Sequence, residues 1–203
     1  MSLRREIFGF RLQALHELLG SGSTDAIAAV ASALDDVAGN EGTLDEVEAG
    51  QLRTAKQIVS RAITQGAPFP ELDVETDAHV MAAVHLARHN QSWHDVGSNS
   101  WKMQAFWQLD EDAGDKWYTT SDNLFRYFIH GRPLFGNRIN TDWSYYAFLR
   151  LEEIRDLIAA IRELQRAHEE FAQPDYVDGF VVALLAWLCG LADAKLDLWF
   201  FTQ

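Results

Sequence analysis

Apolar residues recur every three or four positions along most of this 203-residue chain, and this period constrains its fold more than any other feature. The clearest stripe keeps that spacing without a break from Leu151 to Leu164 and predicts a helix over about 151–171. Another apolar segment begins near Pro174 and is apolar almost all round, which predicts a central buried helix. Shorter stripes and capping residues predict further helices near 23–39, 43–65, 76–89 and 121–130.

Two short aromatic segments near the ends of the chain predict β-strands instead. They are Ile7–Phe10 and Leu196–Phe201. Because an isolated strand is unstable in water, we expect the two segments to pair with each other. The sequence therefore predicts one α+β domain over residues 1–203, mainly α, with six to eight helices and a small sheet that pairs the N- and C-terminal strands.

The charge and apolar content exclude several classes of protein. The net charge is -13, with 30 acidic residues, whereas binding a nucleic acid requires a basic surface that releases counterions. The longest uncharged apolar stretch, Gly179–Ala192, is shorter than the ~20 residues that cross a bilayer. The lone Cys189 lies in an apolar run, which predicts a buried thiol in a reducing compartment. We expect a soluble cytoplasmic protein without nucleic-acid or membrane partners.

The middle of the chain, residues 79–146, has the densest collection of functional side chains. It contains five of the seven tryptophans and five of the seven histidines. Within it, the acid-free run Leu124–Arg138 carries three arginines in an acidic protein. Loops held between helices commonly carry function, so this segment is the predicted location of a site.

The arginines of this run suggest recognition of a small polar or anionic ligand, since a guanidinium can bind a carboxylate or phosphate through two hydrogen bonds. The alternative is structural, with the arginines paired to acids at 110–115 or 152–156. On the first hypothesis, replacing Arg132 by alanine weakens ligand binding while the fold survives. The predicted ligand residues are Arg132, Arg138, His130, Trp143 and Tyr146.

A second hypothesis concerns His85 and His89, which are four positions apart on a predicted helix and so share one face. That spacing allows two imidazoles to hold zinc. Leu86 occupies the place of the catalytic acid in the His-Glu-x-x-His motif, and the histidines alternatively pack at the helix edge. The acidic segment Asp110–Asp115 departs from the EF-hand pattern and is interpreted as a solvated turn.

Nucleophile, phosphate-loop and dinucleotide motifs are absent from the sequence. This absence favours a non-enzymatic binding or protein-interaction domain, whose partner is an unidentified protein or a small polar or anionic ligand. The alternative is a metal-dependent hydrolase that uses His85 and His89. The oligomeric state stays open.

Several short motifs follow one another in the order found in a loose group of bacterial proteins. They are Ala83–Leu86, Gly131–Phe135, Tyr146–Leu149, Leu184–Trp187 and Leu196–Phe201. In this order the chain resembles the uncharacterised bacterial proteins of the YfbM-like type. The resemblance covers about the last two-thirds of the chain and implies a mixed, mainly helical fold. It transfers no catalytic residue, because the group has no established activity.

Overall fold

The computed structural model describes residues 4–40, 46–66, 99–114, 121–132 and 146–202. These residues form seven α-helices and four β-strands, which confirms the predicted mainly helical α+β class. Two short 3-10 helices, Glu169–Ala172 and Tyr176–Gly179, precede the last α-helix. In chain order the elements are β1 (Arg4–Phe10), α1 (Leu12–Leu18), α2 (Thr24–Asn40), α3 (Glu46–Gln65), β2 (Asn99–Lys102), α4 (Met103–Ala113), α5 (Ser121–His130), β3 (Tyr146–Leu149), α6 (Leu151–Ala167), α7 (Phe180–Asp193) and β4 (Asp197–Thr202).

The described elements divide into two compact units. The first unit contains the four strands and the helices α4 to α7, and the second contains α1 to α3. The organisation of residues 1–203 as one domain stays a prediction.

The four strands form one antiparallel sheet in the order β2-β1-β4-β3. The N- and C-terminal strands are neighbours in it, with Phe8 opposite Trp199, so the predicted pairing of the two ends is confirmed. The strands β2 and β3 extend the sheet on either side and were not expected from the sequence. Each has only four residues, too few to show the alternation by which a strand is recognised.

One face of the sheet belongs to the main hydrophobic core of the first unit. Its strands contribute Ile7, Leu198 and Phe200, which are fully buried together with residues of α4 to α7. Gly9 allows close packing, because a Cβ atom there would lie 2.6 Å from Leu191 Cδ2. Phe200 stacks on Phe128 of α5 with ring centroids 4.5 Å apart, which joins the sheet to the helical layer.

The second unit is built around the helix pair α2 and α3. Ser23 caps α2 as predicted, because its Oγ accepts a hydrogen bond from the Ala26 backbone N–H at 3.2 Å. The backbone N–H of Gly20 donates to the Ala62 carbonyl of α3 at 3.0 Å. Gly20 has φ +80, which favours glycine, and a Cβ atom there would lie 3.1 Å from Gly66 Cα. The loop before α2 is thereby fixed against the end of α3.

Helix positions agree with the sequence stripes where the structure describes them. The elements α2, α3 and α5 begin and end close to the predicted bounds, whereas α6 begins as predicted but ends at Ala167, before the 3-10 helix Glu169–Ala172. The predicted helix near 76–89 lies outside the described residues. The last helix differs: α7 begins at Phe180 rather than near Pro174, and its outer face is not covered, since Val182 is 42% exposed.

Candidate functional site

A half-open cleft of about 620 Å³ lies in the first unit, between α4 and residues 176–183. The polar residues of its first wall, Gln104, Gln108 and Asp112, follow one another at intervals of four and therefore share one face of α4. Another face of α4 is buried in the core through Met103, Phe106, Leu109 and Ala113. Burial of that face fixes the direction in which the polar face points.

A hydrogen-bond network crosses the cleft. The Tyr176 hydroxyl donates to Asp112 Oδ2 at 2.7 Å, and Gln108 Nε2 donates to both Asp112 carboxylate oxygens at 3.0 Å. Burial, followed by the hydrogen bond and negative charge of Asp112, raises the pKa of Tyr176 above its ordinary value of 10.0. The phenol therefore keeps its proton at neutral pH and acts as a donor to Asp112.

Aromatic rings form the apolar part of the cleft. Trp101, at the end of β2, is half-buried and meets Phe180 edge-to-face with ring centroids 5.7 Å apart. The same indole contacts Trp187 of α7 at 6.1 Å and Phe106 of α4 at 6.4 Å. Because its neighbours are buried core residues, the Trp101 ring is held in place without a ligand.

The second wall of the cleft contains a left-handed turn. Val177 (φ 46, ψ 50), Asp178 (φ 56, ψ 32) and Gly179 (φ 77, ψ 11) all occupy this region of backbone space. The conformation costs about 1–2 kcal/mol for each residue that has a Cβ atom. It interrupts the chain before Phe180, so α7 begins later than the apolar pattern predicts. Backbone outliers of this kind cluster at functional sites. The turn is therefore a reason to consider the cleft a functional site.

Arg132, one of the predicted ligand residues, is held by neighbouring groups. Its Nη1 donates to the two carboxylate oxygens of Glu153 at 2.9 and 2.7 Å and to the Phe148 carbonyl at 3.4 Å. The guanidinium carbon lies 4.7 Å from the Tyr127 ring centroid and 4.4 Å from that of Phe148. The structural alternative thus has its carboxylate partner for Arg132, since Glu153 is one of the acids at 152–156 that it named.

The other predicted site residues are not all described. His130 is exposed at the end of α5, and Tyr146 begins β3, where its backbone pairs with Phe201. Arg138, Trp143, His85 and His89 lie outside the described residues. The five-residue ligand site and the zinc-binding histidine pair therefore stay predictions. Within the described ranges, no group of three His, Cys, Asp or Glu side chains could hold a metal ion.

The expectation of a solvated turn at Asp110–Asp115 is wrong for its first part. Helix α4 continues through Ala113, and Asp112 is a half-buried member of the cleft. The polar spacing of Gln104, Gln108 and Asp112 is a signal that sequence reasoning missed. Tyr176 could not be found in this way, since it lies 64 positions from its partner.

Within the described part of the chain, one stretch is long and apolar enough to cross a membrane by length and composition alone. It is Tyr176–Asp193, with a mean hydropathy of 1.6, and 33% of it is buried. The core helix of a soluble protein meets the same criterion. Because Leu184, Leu188 and Leu191 of this stretch are buried in the core of the first unit, we interpret it as a core helix.

No protein-family model matches the chain, and no curated protein or solved structure is significantly similar to it. The resemblance to the YfbM-like proteins therefore stays an expectation, as do the bacterial origin and the cytoplasmic location. The cleft has to be interpreted from its own chemistry.

Proposed function

We propose that this is a non-enzymatic binding protein whose ligand site is the cleft between α4 and residues 176–183. The volume of about 620 Å³ lies within the ~300–1,000 Å³ typical of small-molecule sites. Such sites combine apolar and aromatic walls with a few placed polar groups. Here Trp101 and Phe180 form the aromatic wall. The placed polar groups are those of Gln108, Asp112 and Tyr176.

The observation that carries the proposal is the Asp112 carboxylate, which two side chains from different elements orient within an open cleft. A group already oriented in this way loses little conformational entropy when a ligand binds. Burial and the negative charge of Asp112 disfavour the phenolate of Tyr176, so its hydroxyl serves as a hydrogen-bonding group in this proposal. Tyr176 and Gln108 both donate to the Asp112 carboxylate, so the polar groups of the cleft are oriented before any ligand binds.

A blocking substitution tests the proposal. Ala183 lines the cleft and is exposed, so Ala183→Trp should fill the cleft while leaving the core intact. Ala186→Trp is the matched control, because Ala186 is exposed on the same helix but does not line the cleft. A thermal-shift screen with amines, amino acids, sugars and organic acids would provide ligands, and isothermal titration calorimetry would measure their affinities.

We expect at least one compound to bind the wild type and Ala186→Trp alike and to lose binding in Ala183→Trp by tenfold or more. Equal affinity in all three proteins would place the ligand elsewhere and refute the assignment of the cleft. A screen that yields no compound binding to the wild type would also count against it.

A further inference from the structure

The hydrogen-bond network determines which polar atoms remain for a ligand. A carboxylate only accepts hydrogen bonds, so the Gln108 amide must turn its nitrogen towards Asp112, and the Tyr176 hydroxyl must use its hydrogen there. The amide oxygen of Gln108 and the lone pairs of the Tyr176 oxygen are then left to face other groups. Both are acceptors. A ligand that contacts this network therefore has to supply N–H or O–H donors.

The charges around the cleft favour a positive ligand. Among the residues that the structure describes, Asp112 and Asp178 line it with carboxylates, and Lys102 lines it with an ammonium group. The whole chain carries a net charge of -13, and a field of that sign attracts cations and repels anions at long range. The charge of the described cleft residues and the net charge of the whole chain thus both favour a cationic ligand.

The aromatic residues add a third requirement. The partly exposed ring of Trp101 lines the same cleft as the acceptors, and a cation is attracted to the face of such a ring. An apolar ligand body would also replace water on this ring. We infer that the cleft binds an organic cation, namely a primary ammonium or guanidinium group carried on an apolar body. This inference rests on the proposed function and names its ligand class.

Three matched probes test the sign of the charge. Phenethylamine, 2-phenylethanol and phenylacetate share one ring and carry a positive, zero and negative charge at neutral pH. Ligand-observed NMR titration of the full chain would measure the affinity of each. We expect phenethylamine to bind roughly three- to tenfold more tightly than 2-phenylethanol, and phenylacetate to bind most weakly.

Asp178→Asn tests the acidic contribution without disturbing the turn, because asparagine also tolerates the left-handed conformation that Asp178 adopts. We expect the affinity for phenethylamine to fall roughly two- to fivefold, with that for 2-phenylethanol unchanged. Asp193→Asn is the control: it removes the same charge from the far end of α7, at an exposed position outside the cleft, and should have little effect.

The inference is overturned if 2-phenylethanol or phenylacetate binds as tightly as phenethylamine, or if Asp178→Asn behaves like Asp193→Asn. No binding of phenethylamine up to about 10 mM, the weak limit for so small a ligand, has the same consequence. The failure of the proposed function is distinct. If a neutral or anionic probe binds the wild type and loses affinity in Ala183→Trp, only the ligand class is overturned. If a probe binds the wild type and Ala183→Trp equally well, the cleft is not the binding site.

Discussion

At Arg132 the sequence leaves a ligand role and a structural role open, and the structure shows a carboxylate partner for its guanidinium. The ligand hypothesis expects its removal to spare the fold, whereas its guanidinium connects the end of α5 to Phe148 of β3 and Glu153 of α6. Both charged side chains are only 20% exposed. Glu153 additionally accepts the Arg150 backbone N–H at 2.8 Å, at the start of α6. The ion pair therefore contributes to three elements of the first unit.

We expect Arg132→Ala to lower the free energy of unfolding by about 2–4 kcal/mol, because Glu153 would keep its charge in a half-buried position without its cationic partner. Urea denaturation followed by circular dichroism measures this change. Arg155→Ala is the control, since Arg155 is exposed on α6 and its loss should stay within about 0.5 kcal/mol. Equal effects of the two substitutions would show that the ion pair has no structural role.

Tyr176 is a second single residue with a testable effect, because it makes the free energy of unfolding depend on pH. Its folded-state pKa lies above the 10.0 of an unperturbed phenol, owing to burial and to Asp112. Its contribution to stability is therefore fully present below about pH 10 and is lost as the pH rises towards the folded-state pKa. We expect the free energy of unfolding of the wild type to fall more steeply above pH 10 than that of Tyr176→Phe. Parallel profiles in urea denaturation at several pH values would contradict this expectation.

At the scale of the elements, the left-handed turn before α7 is sensitive to the addition of even a small side chain at its glycine. Gly179 has φ +77, and a Cβ atom there would lie 3.0 Å from the Pro174 carbonyl oxygen. We expect Gly179→Ala to lower the free energy of unfolding by about 1–2 kcal/mol. Gly50→Ala, inside α3, should instead raise it by about 0.5–1 kcal/mol, because its nearest atom is Arg53 Nη2 at 3.8 Å. Thermal denaturation of both variants separates backbone conformation from the addition of a methyl group.

The elements also show which parts of the fold the sequence predicts. Helices such as α6 follow from a local period, and the pairing of β1 with β4 follows because two short aromatic strands need partners. The cleft does not follow from such local patterns. Asp178-Gly179 is a common turn pair, but the β-branched Val177 rarely adopts a left-handed conformation, so the full turn is not predicted locally. The contact of Asp112 with Tyr176 spans 64 positions. A contact of that kind depends on tertiary packing, which local patterns do not contain.

For the whole molecule, the sheet joins the two ends of the chain. Strand β4 lies between β1 and β3, and Arg5 is opposite Thr202 in the antiparallel register. Pairs this distant in sequence cost loop-closure entropy when they form, so they slow folding and weaken the folded state relative to a chain with local contacts. A covalent link between the ends would remove part of that cost.

Backbone cyclisation tests this account. Joining Gln203 to Met1 leaves Gln203, Met1, Ser2 and Leu3 to connect Thr202 with Arg4, a length common for hairpin connections. We expect the cyclic protein to unfold with a free energy about 2–4 kcal/mol higher than the linear chain, because the closed loop lowers the entropy of the unfolded state. The linear protein of identical sequence is the control, compared by urea denaturation at one temperature. A cyclic protein of equal or lower stability would mean that the ends do not meet in the register of β1 and β4.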